Sequence, residues 1–327
     1  MLYLGVNIGG TKSSVSLGKV IEGELVDLKR RHERPTKDYS YTELIHLFCQ
    51  DMNQMLDDND VSKSDVKAIG ISCGNPLSSK NGTILSPPNL PGWDNVPIVD
   101  MIREEMAIDT YLCNDANGGA LAESMFGAGK GVDNMVFLTF GTGMGAGIMA
   151  NGRLVEGASD SAGEVGHVRL EDQGPVGYGK RGSFEGYCSG GGIAQLARQW
   201  VTEELQMGRE VDMLKEHTID ELSAKIVCEY AFEGDPLALA IVDEVAYHLG
   251  RGLSIIIDIL NPSRIILGSI YHRSGVLFET RMQEIIEKET LIFAREACEI
   301  LPSSFGESIG NVSAISIAAY YAKQECK

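Results

Sequence analysis

Leu2-Tyr3-Leu4-Gly5-Val6-Asn7-Ile8-Gly9-Gly10-Thr11 and Met135-Val136-Phe137-Leu138-Thr139-Phe140-Gly141-Thr142-Gly143 repeat one pattern at two distant places in the chain. Each is a short apolar run, of the kind that makes a buried strand, breaking on a glycine–threonine turn. A second apolar stretch and a glycine turn follow each, Glu22-Gly23 in one case and Asn151-Gly152 in the other. Glycine lets the backbone approach a ligand closely and adopt positive φ, so that successive amide N–H groups converge on an anion. Threonine adds a hydroxyl donor on a short side chain. A tight β-hairpin turn also favours glycine, so either turn alone supports both readings. Their duplication favours one phosphate-gripping device used twice, on two lobes that handle one nucleotide.

Competing phosphate motifs fit less well. Gly141, Gly143 and Ala146 satisfy the loose Gly-x-Gly-x-x-Gly/Ala pattern, but a dinucleotide site needs a helix to open at once after the turn. The stretch from Gly145 to Leu154 is too glycine-rich for a helix start and reads as a strand and hairpin. No Gly-x-x-x-x-Gly-Lys-Ser/Thr motif occurs.

At 327 residues the chain suits two lobes, each with its own core. A composition of 43% hydrophobic and 23% charged residues is that of a soluble globular protein. The net charge of −18 argues against a nucleic-acid partner, yet local amide nests hold anions even on an acidic surface. Cys49, Cys73, Cys113, Cys188, Cys228, Cys298 and Cys326 are scattered and form no Cys-x-x-Cys pair, which suits reduced thiols and offers no metal cluster by spacing. No basic leader and no membrane-length apolar run are evident, so a cytoplasmic protein without a membrane partner is expected.

Leu2–Ile8, Ser13–Leu17 and Glu24–Leu28 read as a three-stranded meander, and Tyr41–Leu56 has helical periodicity. Ala68–Cys73 and Thr110–Cys113 are strand candidates, and Ala116–Phe126 favours helix. The strand–turn–strand set then restarts at Met135. Pro236–Ile259 is the longest helical pattern, ended by Asn261-Pro262, and Arg264–Leu267 is a strand running into Gly268. Val312–Ala322 reads as a final helix packed on one lobe. The expected division is a first lobe over residues 1–113, joined by a C-terminal helix at about 311–327, and a second lobe over 114–310.

Asn114-Asp115 follows a strand and precedes a helix, which suits a carboxylate facing a ligand and acting as general base; aspartate is equally a favoured helix N-cap. Glu164, His167 and Glu185 can hydrogen-bond the hydroxyls of a sugar, and are equally ordinary loop residues. Pro87-Pro88-Asn89-Leu90-Pro91-Gly92-Trp93 is a rigid loop presenting an amide, or a packed surface turn.

Five segments together resemble the ROK family of sugar kinases and repressors, in the actin-like/hexokinase-like ATPase superfamily: Gly9-Gly10-Thr11-Lys12, Pro88-Asn89-Leu90-Pro91-Gly92-Trp93, Asn114-Asp115-Ala116-Asn117, Phe140-Gly141-Thr142-Gly143-Met144-Gly145 and Ala162-Gly163-Glu164-Val165-Gly166-His167. The likeness extends over nearly the whole chain. It implies an α/β, two-lobed actin-like (ribonuclease H-like) fold with an interlobe cleft. It also implies an ATP-dependent hexose kinase, glucokinase-like, commonly a homodimer, with Asp115 taking a proton from the sugar hydroxyl, usually the 6-hydroxyl. By the same resemblance Asn89, Asn114, Glu164, His167 and Glu185 contact the hexose or amino sugar. Gly9, Gly10, Thr11, Lys12, Gly141, Thr142 and Gly143 serve the ATP phosphates, Gly268 lies near adenosine, and Mg²⁺ bridges the phosphates.

Three departures from the family pattern stand out. Asn7 replaces an aspartate and lacks the charge that helps hold Mg²⁺. That motivates a second reading, a catalytically weak sugar-binding or regulatory protein. The segment in which many relatives carry zinc-binding cysteines has Val176, Tyr178 and Ser183 instead, so no structural zinc is expected, and His167 is kept for sugar contact alone. Finally, Ser269 stands where glycine is common, and Gly74-Asn75 replaces Pro-Gly. A repressor is disfavoured because no helix-turn-helix precedes the first strand.

Overall fold

The computed structural model describes residues 1–30 and 33–324, so Cys326 and the end of the expected C-terminal helix lie outside the described residues. The chain divides into two compact units, Met1–Asp133 with Gly147–Ala162 and Glu307–Lys327, and Asn134–Ala146 with Gly163–Gly306. Residues 114–133 and 147–162, which the sequence reading gives to the second lobe, group with the first unit.

The first unit begins with β1 (Leu2–Ile8), β2 (Lys12–Ile21), β3 (Glu24–Arg30) and β4 (Arg34–Pro35), and then α1 (Tyr41–Asp57). β5 (Val66–Cys73), β6 (Leu77–Ser78), β7 (Thr83–Ile84), α2 (Ile98–Met106), β8 (Thr110–Asn114) and α3 (Asp115–Phe126) follow. β1 to β3 form the expected antiparallel meander, with β5 parallel to β1 and β8 parallel to β5. A capping box of Ser40 and Glu43 starts α1, whose Leu44, Phe48 and Met52 face are fully buried against the sheet residues Leu4, Val6 and Ile69.

The second unit opens with β9 (Met135–Leu138); β10 (Ala146–Ala150) and β11 (Arg153–Leu154) form a hairpin that groups with the first unit from Gly147 onward. β12 (Val176–Gly177), β13 (Lys180–Arg181), α4 (Phe184–Tyr187), α5 (Gly190–Gln206), α6 (Ala224–Phe232) and α7 (Pro236–Leu260) come next. β14 (Arg264–Leu267), α8 (Ser269–Glu289), α9 (Ile292–Glu296) and β15 (Glu299–Pro302) complete it, and α10 (Ile309–Gln324) returns to the first unit. β9, β14 and β15 are parallel, with β14 in the middle. Asp235 caps α7 ahead of Pro236, and Asn261 closes it in the left-handed conformation at φ 43°. No helix among the described residues is long and apolar enough to cross a membrane.

α10 is buried from Asn311 to Ala319, and its Ile315, Ala318 and Ala319 pack with Tyr3, Val20 and Ala68. Its backbone lies so close to β5 that a Cβ on Gly70 would overlap the Ala314 carbonyl and sit 2.6 Å from the Ala318 nitrogen. Gly70→Ala is therefore expected to destabilise the protein by about 1–3 kcal/mol through overpacking, read as a lower urea midpoint with an unchanged slope.

Candidate functional site

In the first unit the three parallel strands end level. Ile8 pairs with Cys73 and Cys73 with Asn114, so Gly9, Gly74 and Asp115 emerge side by side at the strands' carboxyl edge, the usual place for ligand chemistry in α/β sheets. The Gly9–Lys12 segment is a tight hairpin turn, with Gly9 N–H donating to the Lys12 carbonyl at 3.0 Å. Neither glycine has positive φ. Proximity explains them instead: a Cβ on Gly10 would lie 2.9 Å from Asn89 Cβ, and one on Gly9 2.8 Å from the Lys12 oxygen. Thr11 and Lys12 are exposed, and Lys12 pairs with exposed Glu33 at 2.8 Å, a hydrogen bond that raises the lysine pKa.

Asn89 and Asp115 meet around Gly74. A Cβ placed there would be 3.7 Å from Asn89 Nδ2 and 4.0 Å from Asp115 Oδ2. The Asn89 loop is a packed turn, with Leu90 and Trp93 buried and Trp93 tilted against Tyr41 at 6.2 Å. It nonetheless leaves Asn89 exposed beside Gly10 and Asp115. The helix cap is Asn114: its Oδ1 accepts from Ala116 N at 3.0 Å and Asn117 N at 3.3 Å. Asp115 is the first residue of α3, exposed, with Oδ1 accepting from Ala116 N at 2.8 Å. Capping thus accounts for Asn114, which is 9% exposed and has its oxygen turned to the helix. Asn7, two residues before Gly9, packs on α10, where a Cβ on Gly310 would be 2.6 Å from Asn7 Nδ2.

The second unit repeats the arrangement. Leu138 pairs with Leu267 at the ends of β9 and β14, bringing the Gly141-Thr142-Gly143 turn and Gly268 to one edge. Thr139 N–H donates to Gly145 O, and Gly145 N–H to Thr139 Oγ1, both at 3.0 Å, closing the turn. Gly268 N–H donates to Leu138 O and Ile270 N–H to Phe140 O, both at 2.9 Å. Phe140 (φ 33°) and Ser269 (φ 42°) are held in the left-handed region, and such strain in residues bearing side chains gathers at functional sites. Ser269 Oγ would be 3.4 Å from a Cβ on Gly141.

Glu185, on α4, accepts from Met144 N–H at 2.9 Å; a Cβ on Gly143 would lie 2.9 Å from its Oε2. Glu164 precedes the 3-10 turn Val165–His167 and His167 ends it, and both are exposed. Gly166 allows that turn to press on the Gly-Thr turn, since a Cβ there would overlap the Met144 carbonyl and lie 3.2 Å from Glu185 Cβ. Glu164, His167, Glu185, Gly141, Thr142 and Gly143 therefore form one neighbourhood of the second unit. Thr139 and Ser269 belong to it too. Sequence reasoning gave Thr139 no role and left Ser269 unexplained, although a hydroxyl two residues before Gly141 was a usable signal.

Val176, Tyr178 and Ser183 offer no thiolate ligand for zinc; among the described residues no group of three or more His, Cys, Asp or Glu is arranged to hold a metal. Cys49, Cys73, Cys113, Cys188 and Cys228 are buried packing residues, and burial pushes the Cys49 and Cys113 thiols up to about 12.

Comparison with known proteins places these residues in context. The profile of the ROK family matches residues 3–320. A glucokinase of Halalkalibacterium halodurans is 33% identical over 311 residues, covering 94% of this chain and 92% of that protein. A xylose repressor of Caldicellulosiruptor bescii is 31% identical over 228 residues, covering 69% of this chain and 56% of the repressor. Among solved structures, a ROK family glucokinase from Streptomyces griseus in complex with glucose and AMPPNP superposes with a TM-score of 0.78 at 26% identity, covering 98% of this chain and all of that one (100%).

The division of labour between neighbours is testable. Asn114→Ala removes the cap and is expected to lower stability by about 0.5–2 kcal/mol, whereas Asp115→Asn leaves the cap in place and shifts the denaturation midpoint by less than half as much.

Proposed function

The chain belongs to the ROK family, and from that premise we propose that it is an ATP-dependent hexose kinase transferring the γ-phosphoryl of MgATP to a sugar hydroxyl, the 6-hydroxyl. The observation that carries this reading is Asp115, an exposed carboxylate at the level edge of three parallel strands, beside Asn89, with the capping role taken by Asn114. Support comes from the glucokinase relative and from the fold shared with a glucokinase that binds glucose and AMPPNP.

In this reading Asp115 accepts the proton of the attacking hydroxyl, raising its nucleophilicity as it moves toward phosphorus. Asn89 orients the same sugar, while Glu164, His167 and Glu185 take further hydroxyls and reject analogues that leave these groups unpaired. The amides and hydroxyls of Gly9–Lys12 and Gly141–Gly143 hold phosphate oxygens. Positioning and fixed dipoles, rather than covalent chemistry by the protein, supply most of the acceleration. Mg²⁺ fits a site of this kind because it keeps several waters and binds chiefly through substrate phosphates; it would neutralise developing charge, with Asn7 offering an amide oxygen. Asp115→Asn should lower kcat at least ~100-fold with little change in sugar affinity, measured by coupled ADP release across a panel of hexoses with calorimetry for binding. Retention of most activity would remove Asp115 from the role of base.

A second reading, a catalytically weak sugar-binding regulator, is favoured by the uncharged Asn7 and by the likeness to a xylose repressor. Under the kinase reading, Asn7→Asp steepens the Mg²⁺ dependence of turnover. Binding of sugar without turnover of any hexose supports the regulator.

A further inference from the structure

The misfit of zinc leaves a mechanical question: what holds the turn carrying Glu164 and His167 against the helix carrying Glu185? We infer that Lys180 and Ser183 form a metal-free clasp that positions these three residues, an inference that rests on their proposed role in sugar binding. β12 and β13 make a minimal hairpin, pairing Val176 with Arg181 and Gly177 with Lys180 across the two-residue turn Tyr178-Gly179. Both turn residues have positive φ, 44° and 75°, the turn type whose twist suits a hairpin.

The hairpin is tied on three sides. Toward the sugar-contacting turn, Lys180 Nζ donates to the His167 carbonyl at 2.7 Å, and the Tyr178 ring meets the His167 imidazole edge-on at 6.2 Å. Toward α4, the fully buried Ser183 Oγ accepts from Gly186 N–H at 3.1 Å as the helix cap and donates to the Gly177 carbonyl at 3.4 Å. Toward α5, both backbone groups of Val176 bond to the Gln195 amide, at 3.1 and 2.8 Å. The fit against α4 is close, for a Cβ on Gly177 would lie 2.9 Å from Glu185 Cβ. Two of the positions that would carry metal-binding thiolates, 178 and 183, thus carry a ring on His167 and a hydroxyl cap under Glu185. The ammonium of Lys180 supplies the pull between the two pieces. A lysine reaching a carbonyl holds by one charge-assisted hydrogen bond, which a chelator does not touch.

Lys180 is accordingly a positioning residue: it grips the His167 backbone and leaves the imidazole to the sugar. Lys180→Met in the full chain should raise the KM for glucose about 3- to 10-fold while kcat stays within about twofold, the signature of lost ground-state positioning. Lys180→Arg, which keeps the charge and the reach, should recover most of the loss. Incubating the unmodified protein with 1,10-phenanthroline should leave the glucose KM unchanged. Hydrogen exchange provides a readout independent of catalysis, with Lys180→Met speeding exchange in residues 164–170 and sparing α7. A Lys180→Met protein with unaltered KM and unaltered exchange overturns the clasp, as does a rise in KM on chelation. Absence of any hexose binding by the unmodified protein refutes the sugar reading instead, and the exchange result then decides the clasp on its own.

Discussion

The level ending of parallel strands is the constraint on which the rest of this structure depends. β1, β5 and β8 stop in register, as do β9 and β14, so each strand delivers its next residue to a common edge. The apolar pattern fixes that alignment, because a one-residue slip would turn every apolar side chain of the strand to the wrong face. Gly9, Gly74 and Asp115 share one such edge, and Gly141 and Gly268 share the other. The chemistry of the candidate residues follows from that geometry. A carboxylate at the edge is exposed though the strand leading to it is buried.

Close approach, rather than unusual backbone conformation, explains the glycines of both turns. Gly10 admits Asn89, Gly143 admits the Glu185 carboxylate, and Gly166 admits the Met144 carbonyl. The left-handed conformations fall instead on Phe140 and Ser269, which bear side chains. A non-glycine residue held there is strained by of order 1–3 kcal/mol, and here the strain is sustained by the bonds that anchor Gly268 and Ile270 to the end of β9. Glu185 links the two themes, since its carboxylate steadies the Gly-Thr turn through Met144 while its Cβ stands beside Gly166.

Much of this was legible in the sequence. The strands at Leu2, Ala68, Thr110, Met135 and Arg264, the long helix closed by Asn261-Pro262 and the buried last helix are all present, because apolar period and breaker residues are local properties. The grouping of the site residues within each unit was less legible. That Asn114 caps α3 while Asp115 projects depends on a one-residue offset that two adjacent polar residues do not reveal. α5 begins with three glycines, and α8 follows Gly268 and is kinked at Ser274, so the start of neither helix is marked by apolar period. Their existence follows from packing, Ser189 capping α5 and Phe278 packing edge-on against Phe140. Which glycines tolerate no side chain is likewise a tertiary matter, settled by neighbours distant in the chain.

The burial of α10 on β1 and β5 has a consequence for how the protein is made. Tyr3, Val20 and Ala68 find their partners at Ile315, Ala318 and Ala319, the length of the chain away. A ribosome delivers the first sheet early and its cover last, so the growing polypeptide carries an unroofed apolar sheet face through most of synthesis. Most of the second unit lies in sequence between the first sheet and α10. Contacts of such long sequence separation form slowly, and exposed strand surface in the interval invites association with other chains. The fold thus places its period of greatest vulnerability in the interval between synthesis of the first sheet and arrival of the last helix.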